Sequence, residues 1–134
     1  MADSIHVFVY GTLRRGEKNH YLMSGCTCIA EEAYIDGKLY DSRFGYPFLT
    51  TSSGIRVYGE LYNVPIEKLP FLDELEDYTP NREDNLYERV VHPIYIGQAT
   101  VQAYVYISNR PDLHGTLIES GDWKQYNANK EKSS

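Results

Sequence analysis

Residues 5–16 read IHVFVYGTLRRG. The first six alternate: Ile5, Val7 and Val9 share one side, and His6, Phe8 and Tyr10 share the other. Successive side chains of a strand point to opposite faces, so both faces of this one are mostly apolar. A strand apolar on both sides sits inside a sheet rather than at its edge. The spacing therefore predicts a central strand over 5–10 that stops at Gly11. Arg14 and Arg15 follow the stop at once. Two readings are open. The turn is a solvated strand end, or it is a backbone cradle in which successive N–H groups and two arginines attract an anion. The glycine spacings of a phosphate loop and of a dinucleotide fingerprint are both missing, so pattern alone leaves the plain turn ahead.

Outward from this strand the chain continues in the same style. Residues 17–24 can hold a short helix. Residues 26–41 read as one or two strands, broken near the turn dipeptide Asp36-Gly37. A short strand is expected at 47–50 and a longer one at 55–64, where IRVYGELYNV alternates. Residues 86–96 and 100–108 form a hairpin across Gly97-Gln98. Asn127 to Ser134 read as a disordered tail, leaving 1–126 as one domain. Many strands with one or two helices give an α+β fold whose sheet is strongly curved or barrel-like.

The bulk numbers set limits. A chain of 134 residues that is 42% hydrophobic is long enough for a real core. Its formal charge of −6 argues against nucleic acid and anionic membrane as partners, because both call for a basic patch. No apolar run approaches the roughly 20 residues of a membrane span, and no secretory pattern opens the chain, so a cytoplasmic protein is expected. Cys26 and Cys28 would share one strand face, a poor geometry for a disulfide, and they lack a second pair for metal. The four histidines show no metal spacing. Tyrosine stands out, with 13 residues against four phenylalanines and one tryptophan. A ring with a polar tip suits sheet faces and half-wet cavities.

PIEKLPFLDELEDY (65–78) is the best helix candidate. Ile66, Leu69, Phe71, Leu72 and Leu75 make an apolar stripe. At about 100° per residue, Glu74 falls opposite the stripe, whereas Glu76 lies roughly 40° from Leu72 and 20° from Leu69. Glu76 is thus the one acid placed on the face meant for the core. Pro70 can split the helix without changing that relation. A buried carboxyl is costly unless paired or protonated, and burial raises its pKa toward the range useful for proton transfer. Either Glu76 is a general acid/base, or it is salt-bridged to a base such as Arg89, or the helix end turns it into solvent. Glu60, on the face that Tyr58 and Tyr62 share, reads as an exposed strand charge. No serine or cysteine nucleophile signature is present. ESGDW (119–123) reads as a tight turn followed by an aromatic anchor.

Six stretches, VYGTLRRG with Asn19 after it, YPFL, VYGELYNV, FLDELEDY, LYERV and ESGDW, occur in this order over residues 7 to 123. As a set they resemble the γ-glutamylcyclotransferase-like family, which includes γ-glutamylamine cyclotransferases and short bacterial members. The resemblance implies a small mixed β-barrel with flanking helices. It implies that Glu76 is the catalytic glutamate, and that Tyr10, Gly11, Thr12 and Leu13 form the substrate-binding loop, with Asn19 and Tyr87 in the same substrate set. The implied reaction is intramolecular aminolysis: the α-amine of a γ-glutamyl group attacks its own γ-carbonyl, releasing 5-oxoproline and a free amine. The nucleophile lies in the substrate, so no enzyme nucleophile, metal or organic cofactor is called for. The rival reading is a catalytically silent domain that binds a small ligand in the same cavity. Identity of the leaving amine and oligomeric state stay open.

Overall fold

The computed structural model describes residues 4–42, 44–76, 78–81 and 83–132, the side chains of 52–54 and 130–132 excepted. Five strands close into a barrel in the order β1-β3-β2-β4-β5. Strand β1 (Ser4–Val9) pairs antiparallel with β3 (Pro47–Pro65) from Ser4↔Pro65 to Val9↔Glu60. On its other side it meets β5 (Ala99–Ser108) in parallel at Val7↔Tyr104, the contact that closes the barrel. The strand is central, as its two apolar faces predict. Phe8 and Tyr10 enter one buried cluster with Ile35, Leu49 and Val105; Val7 and Val9 enter a second with Phe48, Val64 and Leu72. Full burial of each such side chain is worth about 1.5–3 kcal/mol, so both faces hold the strand.

β2 (Thr27–Asp41) runs unbroken through Asp36-Gly37. The expected break is a register shift: Asp36 pairs with Arg56 and Gly37 with Thr51, so β3 loops out between them. The strands expected at 47–50 and 55–64 are therefore one long β3. Bulges of this kind bend a sheet sharply, which a five-stranded barrel needs. β4 (Tyr87–Ile96) and β5 form the expected hairpin, with Gly97 at φ +57° in its turn.

The segment expected as one helix over 65–78 is split. A 3₁₀ turn (Ile66–Lys68) leads into α1 (Leu69–Leu75), which starts with Pro70 in its first turn. Only Leu69 and Leu72 of the apolar stripe are buried; Ile66, Phe71 and Leu75 remain exposed. A seven-residue helix is too short to carry a full stripe, and its two buried leucines suffice to seat it. Residues 17–24 hold only a 3₁₀ turn at His20–Met23. Of the stretch 127–134, expected to be disordered, residues 127–132 continue α2 (Trp123–Lys132), and 133–134 lie outside the described residues. Its start is fixed from outside: Asp122 caps it, accepting the Gln125 N–H at 3.2 Å, Trp123 is buried in the barrel, and the Tyr126 hydroxyl donates to Asp41 at 2.7 Å. Trp123 is the aromatic anchor that ESGDW predicts.

Candidate functional site

At the end of β1 the chain turns through Gly11, Thr12 and Leu13. The Arg14 N–H donates to the Gly11 carbonyl at 3.1 Å, and the Asn19 N–H to the Thr12 carbonyl at 3.0 Å. Asn19 also donates from its side chain to the Thr12 hydroxyl, 3.0 Å, and His20 Nδ1 meets the Leu13 carbonyl at 2.9 Å. The loop's acceptors are thus tied down on the outside. None of the N–H groups of residues 11–13 donates to another described group. Unpaired backbone N–H groups are rare away from water, and these three residues line a cavity. Gly11 is needed there for room: a Cβ would lie 2.8 Å from Cγ and Cδ of Pro47. Its φ is not in the left-handed region, so close packing and not backbone conformation calls for a glycine here.

The two arginines after the turn do not serve the cradle. Arg14 is buried, with Nε 3.2 Å from Glu60 and a terminal nitrogen 2.9 Å from Asp122. Arg15 pairs with Glu31 on the surface, and its N–H donates to Glu60 at 2.9 Å. Glu60, expected to be exposed, is buried and accepts a further bond from the Tyr62 hydroxyl, 2.9 Å. β3 turns Glu60 inward to hold the loop from behind. Residues 11–13 line the cavity, and the two arginines do not.

The cavity holds about 370 Å³ of free space, counting its open mouth. Tyr10, Tyr46, Pro47, Tyr87, Tyr106 and Glu76 complete its walls. Burial, and the charge of Glu76 after it, hold the Tyr10 phenol well above its ordinary pKa. Its hydroxyl donates to the Tyr106 carbonyl at 2.5 Å, and that of Tyr87 to the Pro47 carbonyl at 2.6 Å. Both phenol hydroxyls are committed to the backbone.

Glu76 is delivered by the end of α1, where its N–H donates to the Leu72 carbonyl at 3.0 Å. The helix is clamped in place by Asp73, which takes an ion pair from Arg89 on β4 and a hydrogen bond from the Tyr106 hydroxyl on β5, 2.7 Å. Arg89, the base that the sequence offered to Glu76, is therefore engaged by Asp73. Glu76 makes no ion pair among the described residues, and burial pushes its pKa from 4.5 up to about 7. It is half-buried rather than enclosed, because it opens on the cavity.

The structure thus brings Glu76, Tyr10, Gly11, Thr12, Leu13 and Tyr87 around one space. Asn19 lies behind Thr12 and lines an adjoining cavity with Glu76. Sequence reasoning missed Pro47, Tyr46, Tyr106 and the Asp73–Arg89 clamp. YPFL entered only as one of the stretches that carry the resemblance. Among the described residues no group of His, Cys, Asp or Glu is arranged to hold a metal ion, and no helix is long and apolar enough to cross a membrane.

Comparison with known proteins shows the family. Residues 7–125 match the family model described as Gamma-glutamyl cyclotransferase, AIG2-like. "Putative gamma-glutamylcyclotransferase BH1612" of Halalkalibacterium halodurans is 45% identical over 114 residues, covering 83% of this chain and 99% of that protein. The Gamma-L-glutamyl-butirosin B gamma-glutamyl cyclotransferase of Niallia circulans is 40% identical over 122 residues, 90% of this chain and 76% of that protein. The crystal structure of YkqA from Bacillus subtilis superposes with a TM-score of 0.78 at 28% identity, covering 97% of this chain and 43% of that one. The chain belongs to the gamma-glutamyl cyclotransferase, AIG2-like family and is an enzyme of the γ-glutamylcyclotransferase type.

Proposed function

We propose that the chain converts γ-glutamyl amides of small amines to 5-oxoproline and the free amine, with Glu76 as the general acid/base. The observation that carries this reading is a carboxyl with its pKa raised to about 7 and no ion partner among the described residues, on the wall of a cavity also lined by residues 11–13, whose N–H groups have no partner among the described residues. The γ-glutamyl head lies against the loop, which receives its negative charge: the α-carboxylate, or the oxyanion as it forms. Glu76 takes a proton from the α-ammonium. The freed amine attacks the γ-carbonyl, a C–N bond forms, and the ring closes to a tetrahedral intermediate. Glu76 returns the proton to the leaving nitrogen, the old C–N bond breaks as the γ-carbonyl re-forms, and the ring nitrogen gives its second proton to the freed carboxylate, from which the departing amine takes it away as an ammonium ion. Holding both ends of the substrate folded together is worth about 7–11 kcal/mol of the barrier. One residue that both accepts and returns a proton works best with a pKa near the working pH. The relative from Niallia circulans is named for acting on a γ-glutamyl amide of this general kind.

The test is incubation with a panel of γ-glutamyl amides and detection of 5-oxoproline by mass spectrometry. Release from at least one amide is expected. Binding without release from any of them would establish the silent-domain reading instead.

A further inference from the structure

Tyr106 of β5 bonds both halves of the site. Its carbonyl accepts the Tyr10 hydroxyl at 2.5 Å, and Tyr10 opens the loop of residues 10–13. Its own hydroxyl donates to one oxygen of Asp73 at 2.7 Å, and Asp73 stands three residues before Glu76. The ring between these two bonds is buried and lines the cavity. Burial, and the bond to Asp73 after it, hold the phenol well above its ordinary pKa, so the hydroxyl remains a donor over the whole range tested below.

α1 needs a tie of this kind. It has seven residues, its N-cap Lys68 makes no side-chain capping bond, and Glu76 is its C-cap residue. A helix this short is marginal without tertiary support, and its last residue is the first to fray. Leu69 and Leu72 seat the helix from below. At the level of the carboxylate, Asp73 is its attachment to the barrel. One oxygen takes the ion pair from Arg89, whose guanidinium lies 5.2 Å and 5.1 Å from the ring centroids of Tyr78 and Tyr104. The other oxygen takes the Tyr106 bond, from the same residue that holds the loop.

We propose that Tyr106 is a positioning residue: its hydroxyl, acting through Asp73, fixes the place of Glu76 over the loop that receives the γ-glutamyl head. The inference rests on the cyclotransferase reading above. A misplacement of about 1 Å in a group that moves a proton costs up to roughly a hundredfold in rate. The titratable and charged groups that face Glu76 are Tyr10 at the end of β1, Tyr46 ahead of β3, Tyr87 of β4 and Tyr106 itself in the one cavity, and Lys18 of the loop in the adjoining one.

Tyr106→Phe tests this, since it keeps the ring and the backbone carbonyl and removes only the hydroxyl. On an amide that the wild type accepts, kcat should fall by roughly ten- to a hundredfold with KM little changed. The rising limb of kcat/KM, near pH 7 in the wild type, should move to lower pH, because a loosened helix end lets water reach Glu76. Tyr10→Phe breaks the bond on the loop side and should raise KM while the limb stays in place. Combined with Asp73→Ala, Tyr106→Phe should cost nothing further in kcat, because the bond is already gone. Wild-type kcat and limb in Tyr106→Phe, the same limb shift in Tyr10→Phe, or additive losses with Asp73→Ala overturn the proposal. Should Asp73→Ala fail to fold, the two tyrosine variants decide. If the wild type turns over no γ-glutamyl amide, the cyclotransferase reading falls by itself. A carbon-13 NMR titration of the Glu76 carboxyl then decides this one: a pKa lower in Tyr106→Phe than in the wild type supports it, and an equal pKa overturns it.

Discussion

Glu76 keeps its proton to near neutrality because burial penalises its charged form, and among the described residues no cation pairs with it. Burial raises the pKa to about 7, so the folded chain binds this proton more tightly than the unfolded one, where the ordinary value is 4.5. Stability is therefore fullest below about 4.5 and declines as the pH rises through about 7, since each step exposes the folded state to a costlier ionised carboxyl. Glu76→Gln removes that dependence. In thermal melts the variant should gain on the wild type between pH 4.5 and 7 and hold its lead above 7. Activity should move the other way. The wild-type kcat/KM should rise as the pH passes about 7, where the carboxylate forms, and Glu76→Gln should lose that limb together with about 10²–10⁴-fold in rate. Gly11→Ala tests the loop: its Cβ would strike the Pro47 ring, which cannot swing aside, so KM should rise and the melting temperature should fall. The direction of Glu76 was legible from the 100° step along the helix. The choice of Arg89 between Asp73 and Glu76 was not, because both acids lie on reachable sides of α1 and spacing carries no information on which one β4 approaches.

At the level of elements, the cradle loop is held by charge rather than by chain geometry. Arg14 joins β3 to the start of α2 through Glu60 and Asp122, both within 3.2 Å. Arg14→Ala would leave Glu60 buried without its cation, and loss of one partner of a buried pair costs about 3–5 kcal/mol. A drop of that size in urea-unfolding free energy is expected; a change below about 1 kcal/mol would mean that the Tyr62 and Arg15 bonds alone satisfy Glu60. Gly59 has a similar role by absence of side chain. A Cβ there would lie 2.3 Å from the Val9 carbonyl, so Gly59→Ala should push β1 off β3 beside the cradle and lower both stability and activity. Alternation in VYGELYNV correctly indicated a strand. It left the side of Glu60 ambiguous, because a period of two assigns residues to faces without saying which face meets another element. The short α1 shows the converse limit. Its apolar stripe was readable to the residue, but how much of it found a partner depended on the barrel beneath.

For the whole molecule, the barrel was legible because each strand carried its own signal: a two-sided apolar run, turn dipeptides and a hairpin glycine. The C-terminal helix was not, since a polar segment without periodicity looks the same as a tail until Asp122, Trp123 and Tyr126 anchor it. Closure of the barrel has a further consequence. Val7 meets Tyr104, and Val9 meets Glu60, so β1 cannot complete its pairing until β5, far along the chain, has been made. Pairings this distant in sequence make folding slow, in the range of about milliseconds to seconds for β-rich domains. The fluorescence of buried Trp123 should report it as a single slow phase on dilution from urea. The cradle hangs from the end of β1, so catalytic competence should arrive with that phase and not before it. A nascent chain stopped short of Tyr104 would carry every residue of the loop and Glu76 as well, yet it should be inert.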